Sequence, residues 1–122
     1  MTTYEQEFPG RADAVAKARE WIAGLVAHLG TIRAGEIELC VSELATNVVL
    51  HTMSGAPDGT YKITATVSEA SVTITVTDLG PTLIPRPRVS PEEHGRGLVL
   101  VAELADHFVY RDAEAIAVFD AS

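Results

Sequence analysis

Hydrophobic residues recur along this chain with two different periods, and these periods separate helices from strands. Over Arg11–Leu29 the apolar residues stand three or four positions apart, and the same spacing returns over Ala34–Met53, so both segments are predicted to be helices. Gly30 lies between them, where a glycine would end the first helix. The pattern predicts a third helix over Leu98–Asp106.

Alternation of apolar residues with threonine or lysine indicates two strands in the middle of the chain. Tyr61–Val67 and Val72–Thr77 each place their apolar side chains on one face, with a hairpin turn between them. Further strands are predicted at Thr2–Phe8, Phe108–Arg111 and Ala115–Phe119. One apolar face on each strand is typical of a sheet covered on one side. We therefore predict an α+β fold, a two-layer sandwich with three helices on one face of a mixed or mostly antiparallel sheet.

Length and charge narrow the class of protein. The 122 residues predict a single domain over residues 1–122. The net charge of −8 argues against unspecific binding to nucleic acid, whose phosphates repel an acidic surface. No apolar run approaches the roughly 18 residues that a membrane span requires, and the first ten residues lack the features of a signal peptide. We therefore expect a cytoplasmic protein that does not bind a membrane.

The single cysteine, Cys40, excludes an internal disulfide and fits a reducing compartment. It stands among apolar residues of the second predicted helix. Because free cysteine usually behaves as a small hydrophobic residue, we expect a buried side chain rather than a reactive thiol.

Three short runs contain the candidate chemistry, and the first lies on the second predicted helix. Glu43, Asn47 and His51 are spaced by four, so they form a slanting stripe beside the apolar stripe of that helix. Side chains on that border face a cleft rather than bulk water. A carboxylate and an amide oxygen there suit Mg²⁺ or a water bound to it. On spacing alone, a polar helix edge with satisfied hydrogen bonds is the stronger interpretation.

The second run is Asp78-Leu79-Gly80, at the end of a predicted strand. Asp78 shares the parity of the apolar residues before it, so it is predicted to point towards the covered face of the sheet. A buried carboxylate needs a partner, and an amine donor from a ligand would satisfy it. The alternative is that Asp78 only caps a turn with Gly80, which is a common role for aspartate before glycine. Both interpretations stay open.

The third run, Gly95-Arg96-Gly97, precedes the third predicted helix and follows an irregular loop over Pro81–His94 that contains four prolines. Glycines let backbone N–H groups approach a ligand, and a helix N-terminus favours an anion such as phosphate. A lone Gly-x-Gly is a weak signal, since most such runs are turns or caps. Neither a dinucleotide-binding fingerprint nor a P-loop is present.

In this order, the three runs resemble the motifs of the histidine-kinase-type ATPases, the superfamily of gyrase, the 90-kilodalton heat-shock chaperone and histidine kinases. The run Ser42-Glu43-Leu44-Ala45-Thr46-Asn47 with His51 is similar to the N-box of small bacterial anti-sigma-factor serine kinases. Asp78-Leu79-Gly80 resembles the first glycine box, and His94-Gly95-Arg96-Gly97-Leu98 resembles the second. The resemblance extends from about Phe8 to Phe119.

The resemblance implies a site for ATP and Mg²⁺. Asn47 would ligate the Mg²⁺, and Glu43 would act as general base or position a nucleophilic hydroxyl. Asp78 would accept a hydrogen bond from the adenine amine, and Gly80 would let the chain pass close to the base. The other residues that it assigns to the nucleotide are His51, Gly95, Arg96, Gly97 and Leu98, with Pro81–His94 as the ATP lid.

The implied function is that of an ATP-binding regulatory protein. It would bind a sigma factor or a regulator of one, and it would phosphorylate a serine or threonine of an anti-sigma-factor antagonist. Relatives are often dimers, which raises the same expectation here. The alternative is a non-catalytic interaction module of the same fold with weak or no nucleotide binding. The chain departs from the family pattern at Thr82, where a second glycine is common, and at residues 112–114, where relatives often carry Gly-Lys.

Overall fold

The computed structural model describes residues 1–79, 91–111 and 113–121, apart from the side chains of residues 53 and 91–96. Within these residues a single five-stranded sheet has the order β1-β2-β3-β5-β4. Its strands are β1 (Thr2–Pro9), β2 (Thr60–Val67), β3 (Ser71–Thr77), β4 (His107–Arg111) and β5 (Glu114–Asp120). Each neighbouring pair is antiparallel, so the described part of the predicted mixed or mostly antiparallel sheet is wholly antiparallel.

The helices are α1 (Val15–Val26), α2 (Thr31–His51) and α3 (Pro91–Leu104). Short 3₁₀ turns at Ala12–Ala14 and Ala27–Leu29 extend α1 at both ends, and their outer limits lie within one residue of the predicted helix. Gly30 has a φ of 93° and joins the two helices, as its position predicted. A further 3₁₀ turn, Met53–Gly55, follows α2.

The core lies between the helices and one face of the sheet. Antiparallel register places Ile63 beside Val76 and Ala65 beside Ile74, and all four side chains are buried. The same face continues into β5, where Ala117 lies opposite Ile74. Helix α2 supplies the largest helical share of the core, with Ala34, Ile37, Cys40, Val41, Leu44, Ala45 and Val48 buried. The predicted α+β fold with one covered face is confirmed.

Two further expectations, one about Cys40 and one about membrane-spanning helices, can be compared with the structure. Cys40 is fully buried, and burial together with the nearby Glu36 raises the pKa of its thiol to about 12. The prediction of a buried side chain is confirmed, and a raised pKa disfavours the reactive thiolate. No helix in the described ranges is both long and apolar enough to cross a membrane.

The third helix begins earlier than predicted. It starts at Pro91 rather than Leu98, so residues 91–94 belong to the helix and not to the loop that was predicted over Pro81–His94. The prediction that Gly95-Arg96-Gly97 precedes the helix is wrong, because these residues lie inside it. Proline is favoured in the first helical turn, and acidic residues such as Glu92 and Glu93 are favoured beside it. These start signals outweigh the low helix propensity of Gly95 and Gly97.

Arg33, in the first turn of α2, ties together the ends of three elements. Its Nη1 donates to the carbonyl oxygen of Leu104 at 3.0 Å, and its Nε donates to that of Asp120 at 2.9 Å. Its Nη2 forms an ion pair with Asp106, and Asp106 also accepts from the backbone N–H of Asp120 at 2.7 Å. The guanidinium lies over the ring of Phe119, with 5.3 Å from its carbon to the ring centroid. The position of α3 against α2 and the sheet is thus held at its C-terminal end.

Candidate functional site

Helix α2 places the first run along the edge of its buried face. Glu43, Asn47 and His51 are all half-buried, whereas Leu44 and Val48 beside them are buried. This arrangement agrees with the predicted slanting stripe at the border of the apolar face. The carboxylate of Glu43 and the amide of Asn47 lie one helical turn apart and can both reach a ligand at that border.

Asp78 follows β3 and faces the same side as Val72, Ile74 and Val76. Its residue is only 7 % exposed, which confirms the orientation that strand parity predicted. Its backbone N–H donates to the carbonyl oxygen of Ala113 at 2.9 Å, which continues the pairing of β3 with β5 beyond the strand. The carboxylate therefore has a fixed backbone and a buried position on the helix side of the sheet.

A series of hydrogen bonds connects the end of α2 to the residue after Asp78. The hydroxyl of Thr52 donates to the carbonyl oxygen of Val48 at 2.8 Å and accepts from the backbone N–H of Ser54 at 3.1 Å. The hydroxyl of Ser54 accepts from the backbone N–H of Leu79 at 2.9 Å. Because Thr52 and Ser54 are both buried, these bonds are shielded from water and fix the first two runs relative to each other.

Tyr110, on β4, contacts the second run and lies near the first. Its hydroxyl donates to Oδ2 of Asp78 at 3.3 Å. Burial raises the pKa of Tyr110, the charge of Asp78 and its hydrogen bond raise it further, and a side-chain hydrogen bond from Asn47 lowers it. The phenol thus bonds to the Asp78 carboxylate and lies near the Asn47 amide. Sequence reasoning missed this residue, although alternation in β4 could have placed it on the same face as Phe108.

The third run meets the first where α3 crosses α2. A Cβ atom built on Gly97 would lie 2.9 Å from Oε2 of Glu43 and 3.8 Å from its Cβ. Such an approach is closer than real Cβ atoms show, so the carboxylate keeps its position only because residue 97 has no side chain. The structure therefore brings Gly97 against Glu43.

Of the other residues predicted for the site, some lie in α3 and the rest lie outside the part of the chain that the structure describes. Leu98 is half-buried and packs against the core. Gly95 and Arg96 lie in the helical backbone of α3, and the side chain of Arg96 is outside the described part of the chain. Gly80, together with residues 81–90 of the expected lid, also lies outside the described residues.

Known proteins match this chain over most of its length. A family model described as the histidine kinase-like ATPase domain matches residues 8–118. The chain is 36 % identical over 76 residues to an anti-sigma F factor of Clostridium beijerinckii, covering 61 % of this chain and 53 % of that protein. It is 33 % identical over 85 residues to the anti-sigma F factors of two Clostridium botulinum strains, covering 68 % of this chain and 59 % of each relative.

The chain therefore spans little more than half the length of these relatives, whereas the family model covers nearly all of the chain. The match from residue 8 to residue 118 includes the whole of α2, the end of β3, and α3, which carry the three runs. The chain belongs to the histidine kinase-like ATPase domain family.

Proposed function

We propose that this protein binds ATP with Mg²⁺ between α2 and the end of β3, and that it regulates a sigma factor as a serine/threonine kinase. The observation that supports the proposal is the meeting of the three runs at one site. Tyr110 bonds to Asp78 and lies near Asn47, and Glu43 lies against Gly97.

The residues present fit such a ligand. Asp78 offers a buried carboxylate, which can accept a hydrogen bond from an amine such as that of adenine. Asn47 offers an amide oxygen, and Mg²⁺ is commonly held by few protein oxygens together with substrate phosphates. Gly97 leaves the carboxylate of Glu43 in place beside α3. Candidate base-binding, metal-binding and acid–base groups are thus available on neighbouring elements, α2 and the end of β3.

Each group has a role in this proposal. Bound ATP would supply the phosphoryl group for transfer to a serine or threonine hydroxyl. Asn47 would hold the Mg²⁺, and Asp78 would orient the base. The Glu43 carboxylate would position that hydroxyl and accept its proton. The other residues of the proposed nucleotide site are assigned only from their motifs; they are His51, Gly80, Gly95, Arg96 and Leu98.

The proposed partners follow from the relatives, which are named anti-sigma F factors. We infer that this chain binds a sigma factor and an antagonist protein, and that the antagonist carries the hydroxyl that is phosphorylated. We also propose that the protein forms a homodimer. We propose that it is located in the cytoplasm, where ATP is abundant. The alternative is a non-catalytic interaction module of the same family.

The test is transfer from ATP labelled in its terminal phosphate to candidate antagonist proteins in the presence of Mg²⁺. We expect Glu43→Ala to lower the rate of transfer by about 100-fold or more, because a general base typically contributes that much. Glu38→Ala is the matched control. Glu38 lies on the same helix, is half-buried and pairs with Arg19 at 3.6 Å, outside the proposed site.

Equal transfer by wild type and Glu43→Ala would contradict the proposed role of Glu43. Bound nucleotide without transfer to any antagonist would favour the interaction module. A loss of transfer in Glu38→Ala as well would indicate a general effect on α2 rather than loss of a base.

A further inference from the structure

The phenol of Tyr110 lies at the end of β3, where the proposed function, on which this inference rests, places the nucleotide. Its hydroxyl is 3.3 Å from Oδ2 of Asp78 on the sheet side. Asn47, on the helix side, is close enough to lower the pKa of the same phenol. One side chain therefore bonds to the residue that the nucleotide would need for its base and lies near the one that it would need for its metal ion.

The backbone geometry explains how Tyr110 reaches this position. Tyr110 pairs with Ala115, and Ala115 pairs with Val76, so the three residues share the covered face of the sheet. The small side chain of Ala115 leaves room for a ring to pass over it. Asp78 lies two residues beyond Val76 on that face, within reach of the phenol.

The contact is suited to being broken. A distance of 3.3 Å is long for a hydrogen bond between a hydroxyl and a carboxylate, which is usually well below 3.0 Å. Tyr110 is 42 % exposed and stands on β4, an edge strand of the described sheet, so its ring can turn towards solvent. Asp78 is 7 % exposed and keeps its position. The mobile partner of the pair is the tyrosine.

We propose that Tyr110 competes with the nucleotide base for Asp78, so that the phenol covers the site in the free protein and leaves when ATP binds. Both groups donate a hydrogen bond to the same carboxylate, and a phenol in contact with Asp78 takes space beside the carboxylate that the base would need. Only molecules whose phenol has left Asp78 can then bind, and the apparent affinity is reduced by their fraction. Tyr110 is thus a residue that sets nucleotide affinity at this site.

Calorimetric titration with Mg²⁺-ATP tests the proposal in wild type and Tyr110→Phe. Removing the hydroxyl takes away the bond to Asp78 while it retains the ring, so we expect about three- to tenfold tighter binding. Tyr110→Ala also removes the ring and is expected to bind at least as tightly as Tyr110→Phe. Tyr4→Phe is the matched control, since Tyr4 is 41 % exposed on β1 at the opposite edge of the described sheet. It should bind as wild type does.

A second measurement follows the phenol itself. The chain has three tyrosines, so protein labelled with 3-fluorotyrosine gives three ¹⁹F resonances, and the one that is absent from Tyr110→Phe belongs to Tyr110. Addition of Mg²⁺-ATP should shift this resonance towards the position of an exposed tyrosine and leave that of Tyr4 in place. A resonance of Tyr110 that does not move on saturation with Mg²⁺-ATP would overturn the proposal.

The outcomes of the titration separate this inference from the proposed function. Measurable binding with unchanged or weaker affinity in Tyr110→Phe would overturn the competition and leave the nucleotide site standing. No binding by wild type or by either Tyr110 variant would overturn the proposed function and, with it, this inference.

Discussion

Gly97 occupies a position where any side chain would collide with Glu43. It lies in α3, where a Cβ atom would come to 2.9 Å from the Glu43 carboxylate oxygen. The oxygen is the far end of a flexible side chain, so an added methyl group would displace the carboxylate rather than the backbone. A glycine inside a helix normally reduces stability, and its presence here is explained by the position of Glu43.

Gly97→Ala should therefore raise the stability of the protein while it lowers the rate of phosphoryl transfer. We expect the free energy of unfolding to rise by about 0.5–1 kcal/mol, because alanine is the better helix former. Phosphoryl transfer should fall by about tenfold or more, because the displaced carboxylate no longer meets the hydroxyl. Urea unfolding and the transfer assay measure the two quantities.

The control for this prediction is Gly24→Ala. Gly24 lies in α1, and no atom stands within 4 Å of its added Cβ, so the variant should be stabilised with unchanged transfer. A Gly97→Ala protein with the transfer rate of wild type would contradict the role given to the contact between Gly97 and Glu43.

Local periodicity predicted the orientation of those side chains whose position depends on a single helix or strand. Strand parity alone predicted that Asp78 is buried, and helical spacing predicted that Glu43 and Asn47 lie at the border of the apolar face. Tyr110 could not be found in the same way. Its contact with Asp78 spans 32 positions and depends on the register of β4 with β5 and of β5 with β3.

At the scale of elements, Arg33 holds α2, α3 and β5 together at one end of the molecule. Its bonds to the carbonyl oxygens of Leu104 and Asp120 satisfy acceptors at the ends of α3 and β5. The side chain of Arg33 is only 15 % exposed, so the ion pair with Asp106 is partly shielded from water. This cluster therefore contributes more than a surface ion pair.

Replacement of Arg33 by methionine retains most of the aliphatic stem and removes the hydrogen bonds. We expect a loss of about 1–3 kcal/mol in the free energy of unfolding, since several hydrogen bonds to a charged, half-buried group are lost. Chemical denaturation measures the change. Arg11→Met is the matched control because Arg11 and its partner Asp13 have 68 % and 73 % exposed side chains. Arg11→Met should change the free energy of unfolding by about 0.5 kcal/mol or less. An equal effect of the two variants would contradict the stabilising role given to Arg33.

The elements themselves were predictable where the apolar period is strong. All five strands and all three α-helices of the described residues were expected from the pattern, whereas the starts of two helices were misplaced. Helix α2 begins at Thr31 rather than Ala34, and its first turn contains Ile32, which is 83 % exposed and so does not follow the apolar stripe. The early start of α3 depends on Pro91 and the acidic residues after it, which give no hydrophobic period.

For the whole molecule, we propose that three runs far apart in the sequence form one nucleotide site. Antiparallel pairing and the crossing of α3 over α2 bring the runs together, and no periodicity along the chain specifies either arrangement. The resemblance to the family indicated that the three runs, in this order, belong to one site. The structure added the contact between Gly97 and Glu43 and the tyrosine that bonds to Asp78 and lies near Asn47.

Calorimetric titration of Mg²⁺-ATP into wild type and Asp78→Asn tests whether the nucleotide binds at this site, with Asp13→Asn as an exposed control. We expect binding by wild type and by the control. We expect binding weakened by about 10- to 100-fold in Asp78→Asn, because a hydrogen bond from the base to a buried charge is lost. Equal affinity of wild type and Asp78→Asn, or no binding by wild type, would rule out a nucleotide site at Asp78.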